Sequence, residues 1–181
     1  MADSSSQVEI LPPIPADLPF LQAIYSEAVL NGTASFELEP PDLAEITRRY
    51  HALVDQNFPY FVAKNAVGKL LGYAYAGPYR PRMAYRFTVE DSIYIAPEAQ
   101  GLGVGRALLA KLVDDATEKG FRQMIAVIGD SQHTASIALH ERLGFAHIGV
   151  FRDIGWKQNR WLDSVLMQKS LGSGAHMPAE L

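Results

Sequence analysis

The chain has 181 residues, 48% hydrophobic and 20% charged, with a formal net charge of −4 at pH 7 and no cysteine. Its length predicts one domain with a substantial core, and its acidic balance argues against a nucleic-acid partner, which would need basic excess on one face. The lack of cysteine excludes disulfides, thiolate metal sites and a cysteine nucleophile, and no apolar run approaches the roughly 20 residues of a membrane span. Because residues 1–7 also lack the basic and apolar segments of a signal peptide, we expect a cytoplasmic protein.

The first half of the chain predicts strand, helix, helix, strand and strand, in that order. Asp17 is expected to cap the first helix and Asp42 the second, because an aspartate can accept hydrogen bonds from the exposed amides of a helix start. Asn31-Gly32 ends the first helix, and an extended loop with two prolines separates it from the second. The three strands are predicted at residues 8–11, 60–64 and 70–76, the last two as an antiparallel hairpin.

A strand over residues 87–95 leads into a glycine-rich loop and a helix that starts at Val104. Gly120 closes this helix as a left-handed C-terminal residue. Residues 123–128 are nearly all apolar, which predicts a strand buried on both faces.

The last part of the chain predicts one short helix and two closing strands. Thr134 or Ser136 is expected to cap the helix, and Gly144 follows its end. The closing strands are predicted at residues 145–151 and 161–168. We therefore expect one α/β domain over residues 8–171 with a mixed sheet, and frayed tails at residues 1–7 and 172–181.

The glycine-rich loop is the most informative stretch. Gly101, Gly103 and Gly105 open the helix, so a ligand can approach amides that have no partner within the helix and carry partial positive charge. Such a loop suits a phosphate or pyrophosphate, and the alternative is a tight turn with glycines chosen for positive φ. The spacing matches neither the dinucleotide fingerprint nor the nucleoside-triphosphate loop.

The segment Gln100-Gly-Leu-Gly-Val-Gly105 resembles the Gln/Arg-x-x-Gly-x-Gly/Ala motif of the GCN5-related N-acetyltransferases (GNAT), whose loop holds the pyrophosphate of coenzyme A. From about residue 8 to residue 171, the chain resembles the phosphinothricin and methionine sulfoximine N-acetyltransferase branch of that superfamily. The resemblance is carried by residues 33–40, 85–92, 136–145, and 155–157 with 161–163. It implies one domain with a mixed, mostly antiparallel central sheet and about four flanking helices.

The resemblance also implies an activity. Acetyl-CoA would donate its acetyl group to the α-amino group of a small amino acid such as methionine sulfoximine, methionine sulfone or phosphinothricin, with no metal involved. The enzyme would be a homodimer built around the tryptophan-bearing C-terminal strands. The alternatives are a GNAT enzyme for another amine, such as a polyamine or a protein N-terminus, and a non-catalytic module that binds acyl-CoA.

The coenzyme site follows from the same resemblance. The strand end Ile93-Tyr94-Ile95 would splay from residues 123–128 and pair with the pantetheine arm, and one of its amides could bind the oxyanion. His133 stands where relatives commonly carry an asparagine that contacts the coenzyme, and its ring can still donate a hydrogen bond. The residues expected to hold the pyrophosphate are Gln100, Gly101, Leu102, Gly103, Val104, Gly105 and Arg106.

Two residues are candidates for catalysis. Only about a tenth of an α-amine is neutral at pH 7, so a positioned base would raise the rate. Glu90 occupies the family's proposed base position, and the alternative is a solvated carboxylate at a strand end. His140 lies on or beside the apolar stripe of its helix, which fits a core histidine as well as the family's catalytic role of assisting deprotonation or protonating the leaving thiolate. Tyr94 is a further candidate acid, unless strand alternation turns it into the core.

The acceptor site is expected around the family's acceptor segment. Arg80 and Arg82, with Arg80 favoured, would bind the carboxylate of an amino acid, because arginine offers two parallel hydrogen bonds, and the alternative is that both are solvated surface arginines. Tyr79 and Pro81 flank them. Phe36 would cover the substrate side chain, with core packing as the alternative, and Val89 would border the same pocket.

Overall fold

In the computed structural model, which describes residues 8–179, seven strands and four helices follow one another along the chain. The strands are β1 (Glu9–Leu11), β2 (Tyr60–Lys64), β3 (Leu70–Pro78), β4 (Thr88–Ile95), β5 (Gln123–Gly129), β6 (Ala146–Lys157) and β7 (Arg160–Ser170). The helices are α1 (Leu18–Asn31), α2 (Leu43–Val54), α3 (Val104–Glu118) and α4 (Thr134–Arg142). The predicted strands and helices are all present, with β3, β6 and β7 longer than expected.

The strands form one sheet in the order β1-β2-β3-β4-β5-β7-β6. All neighbouring strands pair antiparallel except β4 and β5, which are parallel and are joined through α3. A parallel pair needs such a crossover, because the chain must return to the same end of the sheet. The mixed, mostly antiparallel sheet with four helices is as the resemblance implies.

The sheet splits in its middle, between β4 and β5. These two strands pair only where residues 88–91 face residues 123–126. Beyond that point β4 stays paired with β3 and β5 stays paired with β7. One edge of each strand is therefore unpaired there, which is the splaying that the resemblance implies.

Each face of the sheet carries its own hydrophobic core. The core under α3 and α4 is mainly aliphatic, and α3 contributes the predicted stripe of Val104, Leu108, Leu112 and Ala116. The core under α1 and α2 is rich in tyrosine. Its buried tyrosines are Tyr25, Tyr60, Tyr73 and Tyr94.

Two of the predicted helix caps are wrong. Asp42 does accept a hydrogen bond from the amide of Glu45 at 2.8 Å, as expected. Asp17 instead accepts one from the amide of Ile14 at 3.0 Å and pairs with Lys64 at 2.7 Å, so its carboxylate is already engaged by β2. Neither Thr134 nor Ser136 caps α4, because Thr134 is already the first residue of the helix and Ser136 lies within its first turn. His133 stands at the N-cap and makes no side-chain cap bond.

Two further segments differ from expectation. β5 is not buried on both faces, because Val127 lies at the opening beside β4 and is 39% exposed. Residues 172–175 form turns, and the guanidinium of Arg122 donates to the carbonyls of Gly174 and Pro178. Residues 1–7, predicted as a tail, lie outside the described residues. None of the helices in the described part of the chain has both the length and the apolar character that a membrane crossing needs.

Candidate active site

A cavity of about 300 Å³ opens where β4 and β5 diverge. Its walls come from both strands, from α4 and the turn before it, and from the loop that follows α1. Five of its lining residues carry the chemistry considered below: Phe36, Glu90, Asp91, His133 and His140. The fold therefore brings together residues that lie more than one hundred positions apart in the sequence.

Alternation along β4 sends neighbouring side chains to opposite faces of the sheet. Ile93 packs against the core under α3 and α4, whereas Tyr94 belongs to the tyrosine core under α1 and α2. Glu90 has the parity of Tyr94 and Asp91 has the parity of Ile93. The two adjacent acidic residues thus border one cavity from its two faces.

Val89 does not line this cavity. Its side chain is fully buried in the aliphatic core, on the face opposite Glu90. The expectation that Val89 borders the acceptor pocket is corrected by the same alternation, because a residue next to Glu90 on a strand must point away from it.

Glu90 is half-buried at the cavity wall. Burial raises the pKa of its carboxyl, the nearby acidic Asp91 raises it further, and the positive charge of Arg80 partly opposes both. A carboxylate with a raised pKa holds a proton more readily, so it is a better general base for an amine.

His140 is buried, and both of its ring nitrogens have partners. Nδ1 lies 2.7 Å from the carbonyl oxygen of Ser136, and Nε2 lies 3.0 Å from Oδ2 of Asp91. The side chains of His140 and Asp91 are each only 3% exposed. Burial opposes a charge on the ring, but the hydrogen bond and the charge of Asp91 outweigh it, so the pKa of His140 is raised.

Sequence reasoning missed Asp91. The signal was available, because Asp91 follows Glu90 on a strand and must face the opposite side. What the sequence could not supply was its partner, since His140 lies 49 residues further along the chain.

The glycine loop lies open at the N-terminus of α3. Gly101 and Gly103 have φ of 76° and 81°, and a Cβ added at either would meet nothing within 4 Å. Gly105 serves packing instead, because an added Cβ would lie 3.3 Å from Leu139. Gln100, Leu102 and Arg106 are exposed around the loop, while Val104 is buried in the core. The first amides of α3 are left without partners in the helix, as a pyrophosphate site requires.

His133 is half-buried at the start of α4 and lines the cavity. Burial lowers the pKa of its ring, so the ring is neutral near pH 7. Within residues 8–179, only two buried side-chain polar atoms have no hydrogen-bond partner, namely His133 Nδ1 and Asp91 Oδ1. Both belong to the cavity walls, and buried polar atoms without a partner indicate a place for water or ligand groups.

Phe36 lies over two glycines at the other side of the cavity. A Cβ added at Gly155 would come within 2.4 Å of its ring, and one at Gly129 within 2.9 Å. The loop that carries Phe36 is held by buried Lys157, whose ammonium donates to the carbonyl of Ser35 at 2.5 Å. The absence of side chains at the two glycines therefore lets the ring close onto the sheet.

The arginine cluster lies outside the cavity wall. Arg80 is exposed and stacks on the ring of Tyr79 with 5.0 Å from the guanidinium carbon to the ring centroid. Pro81 and Arg82 are exposed in the same loop. Arg80 is the member of this cluster whose charge reaches Glu90.

Tyr94 lines the cavity, but its ring is packed among other tyrosines. It meets Tyr25 edge-on with ring centroids 4.9 Å apart, and burial raises its pKa well above the ordinary value. Its hydroxyl therefore stays protonated across neutral pH. No group of three or more potential metal ligands occurs in the described part of the chain.

A split sheet with a glycine loop at the start of the next helix fits the class of acyltransferases that use acyl-coenzyme A as donor. The sequence model of the acetyltransferase (GNAT) family matches residues 21–145. The chain therefore belongs to this family, and the predictions of an α/β GNAT fold and of an N-acetyltransferase are confirmed.

Individual relatives agree with this. A phosphinothricin N-acetyltransferase of Alcaligenes faecalis is 53% identical over 87% of this chain and 80% of its own length. An L-methionine sulfoximine/L-methionine sulfone acetyltransferase of Pseudomonas aeruginosa is 42% identical over 86% of this chain and 90% of its own. The crystal structure of a phosphinothricin acetyltransferase from Sinorhizobium meliloti in complex with AcCoA matches with a TM-score of 0.93 and 47% identity, over 96% of this chain and 93% of that chain.

Proposed function

We propose that this enzyme transfers the acetyl group of acetyl-CoA to the α-amino group of a small amino acid, such as methionine sulfoximine, methionine sulfone or phosphinothricin. The observation that carries the proposal is the cavity in the split sheet, which is bordered by Glu90, a carboxyl of raised pKa. We call the side of β4 that Glu90 faces, under α1 and α2, the acceptor face. The substrates named for the relatives from Alcaligenes and Pseudomonas support this acceptor class.

The chain offers three places that fit acetyl-CoA, which would supply an acetyl group activated as a thioester. The unpaired edge of β4 would pair with the pantetheine arm, and an amide there would donate to the carbonyl oxygen as negative charge develops on it. The glycine loop would bind the pyrophosphate, with Arg106 as counter-charge, and His133 would contact the coenzyme. The full set is Ile93, Tyr94, Ile95, Gln100, Gly101, Leu102, Gly103, Val104, Gly105, Arg106 and His133.

Glu90 prepares the acceptor. An incoming ammonium has no lone pair, so Glu90 takes its proton directly or through one water. Arg80 would bind the acceptor carboxylate through two parallel hydrogen bonds, with Tyr79, Pro81 and Arg82 completing its loop. Phe36 would cover the acceptor side chain. Arginines near the acceptor disfavour a polyamine, which needs acidic pockets.

The same proposal includes a homodimer in the cytoplasm. Several large apolar side chains stand exposed on the β6–β7 hairpin, and contiguous apolar surface of this kind is usually covered by a partner. Trp156 and Trp161 meet edge-on there, with ring centroids 5.3 Å apart. The exposed set is Ile148, Val150, Phe151, Ile154, Trp156 and Trp161. A monomeric mass in solution would reject the dimer, and a chain without cysteine suits a reducing compartment.

A thiol-release assay tests the activity. Acetyl-CoA is offered with methionine sulfoximine, methionine sulfone, phosphinothricin, spermidine and a peptide with a free N-terminus. We expect CoA thiol to appear with the small amino acids. Release with only spermidine or the peptide would refute the acceptor class, and tight acetyl-CoA binding without release from any amine would favour a binding module.

A further inference from the structure

The pair of Asp91 and His140 lies on the side of β4 that packs under α3 and α4, opposite Glu90. We call this side the coenzyme face. We propose that Asp91 is a positioning residue that keeps a second proton on Nε2 of His140, so that His140 serves as the proton donor on this face. The proposal rests on the acetyl transfer proposed above. It assigns the two proton transfers to different residues: Glu90 accepts protons from the acceptor nitrogen, and His140 donates a proton to the sulfur.

The first step of the argument is the ring orientation. A carbonyl oxygen only accepts hydrogen bonds, so the 2.7 Å contact with Ser136 places a proton on Nδ1 of His140. The charge of the ring is therefore decided at Nε2 alone. Nε2 faces Asp91 Oδ2 at 3.0 Å, and a carboxylate in that position favours the protonated ring.

The second step is the balance between burial and charge. A histidine buried without a charged partner loses its proton near neutral pH, because burial penalises the charged form. The groups that face His140 are Asp91 from β4, the ring of Phe145 edge-on at 5.0 Å, and the neutral ring of His133 from the start of its own helix. Glu90, next to Asp91, points to the other face. Asp91 is thus the one acidic group in contact with the ring among the described residues.

The third step is the proton balance of the reaction. Glu90 accepts the protons that the acceptor nitrogen loses and passes them to solvent. The Nε2 proton of His140 leaves its hydrogen bond to Asp91 and passes to sulfur as the C–S bond breaks and sulfur keeps the electron pair. His140 then regains a proton from solvent, so one turnover from an ammonium releases one proton net. Asp91 lines the cavity, and its buried Oδ1, which has no hydrogen-bond partner among the described residues, would offer a contact for the water that returns this proton.

Nitrogen-15 NMR of the His140 ring shows directly which of its two nitrogens carry protons. In the unaltered protein we expect both ring nitrogens of His140 to carry protons at pH 7, with a titration midpoint above that of an ordinary histidine. In Asp91→Asn the midpoint should fall below the ordinary value, because the amide removes the charge and leaves the burial. Asp91→Glu keeps the charge and should restore part of the shift.

The rate provides a second readout. We expect Asp91→Asn to lower kcat by about 10²-fold, the lower range for loss of a general acid, with little change in KM for acetyl-CoA. Activity that needs a protonated acid declines as pH rises through the pKa of that acid. The declining limb of the kcat profile should therefore move to lower pH in Asp91→Asn.

The chain contains a matched control. His147 and Glu141 form a second histidine–carboxylate pair of 2.9 Å, but both side chains are about half exposed. Glu141→Gln should leave the His140 titration and kcat unchanged.

An Nε2 without a proton at pH 7 in the unaltered protein would overturn the proposal, even if Asp91→Asn failed to fold. So would an unchanged His140 titration in a folded Asp91→Asn. A protein that is inactive with every amine, but in which His140 is doubly protonated, would refute the acetyl transfer. It would still support the proposal that Asp91 keeps a proton on Nε2 of His140.

Discussion

The two faces of β4 place acidic residues in different surroundings at adjacent positions. Glu90 faces the tyrosine-rich side, where it is half-buried and close enough to Arg80 for that charge to affect its pKa. Asp91 faces the aliphatic side, where it is buried and bonded to His140. One step along a strand therefore separates a half-buried carboxyl near an arginine from a buried carboxyl that is hydrogen-bonded to a histidine. The predictions below test whether each face serves one substrate.

The largest effect is expected at Glu90. Glu90→Gln should lower kcat by about 10²- to 10⁴-fold near neutral pH, because the amide cannot take the ammonium proton. The loss should shrink as pH rises above about 8, where an α-amine is already neutral. The measurement is the pH–rate profile of both proteins, and profiles of identical shape would remove Glu90 from the mechanism.

Stability separates this effect from misfolding. The pKa of Glu90 is raised on folding, so the folded protein binds its proton more tightly than the unfolded chain does. The carboxyl therefore costs stability once pH rises above the unfolded pKa, and no cost remains below it. Glu90→Gln should unfold at the same or a higher temperature at pH 7, as thermal denaturation can show.

At the glycine loop, Gly103→Ala should raise KM for acetyl-CoA by about five- to thirtyfold, because alanine resists the left-handed conformation that exposes the loop amides by about 1–2 kcal/mol. Gly120→Ala is its control at the other end of α3, where φ is 85°. Both variants should lose similar stability in urea unfolding. If Gly120→Ala raised KM as much as Gly103→Ala, the loop would have no special role in binding.

On the acceptor face, Arg80→Ala should raise KM for the amino acid by about tenfold, which corresponds to the lower end, about 1.5 kcal/mol, of the contribution of a hydrogen bond to a charged group. KM for acetyl-CoA should stay constant. Arg80→Lys keeps the charge but loses the two parallel bonds, so it should recover only part of the affinity. Steady-state kinetics with both substrates varied would measure this, and an acceptor KM unchanged in Arg80→Ala would exclude Arg80 from the site.

The smallest effect on acceptor binding is expected from a substitution at Gly155, which lies under the ring of Phe36. Gly155→Ala places a Cβ within 2.4 Å of the ring, and shifting the ring at a cost of about 1 kcal/mol should raise the acceptor KM about fivefold. Gly149→Ala lies on the same strand with nothing within 4 Å and should change nothing. Equal acceptor KM values in these two variants would show that the position of Phe36 does not affect acceptor binding.

Much of the fold could be predicted because its signals are local. The Asp42 cap, the β2–β3 hairpin, the apolar stripe of α3 and the glycines around it each depend on residues a few positions apart, and the structure contains all of them. The cap at Asp17 was wrong for the complementary reason. A local cap competes with partners that come from elsewhere, and Lys64 on β2 binds Asp17.

The sequence by itself determined the succession of elements, the glycine loop at the start of α3 and the family resemblance, because each of these depends on residues that are close together in the chain. The tertiary structure decided which side chains, distant in the sequence, become neighbours in the fold. It placed Val89 in the core, brought Arg80 near enough for its charge to affect the pKa of Glu90, and joined Asp91 to His140 across 49 positions. The pleat alternates side chains between faces, but only packing of the helices on those faces determines which partner each side chain meets.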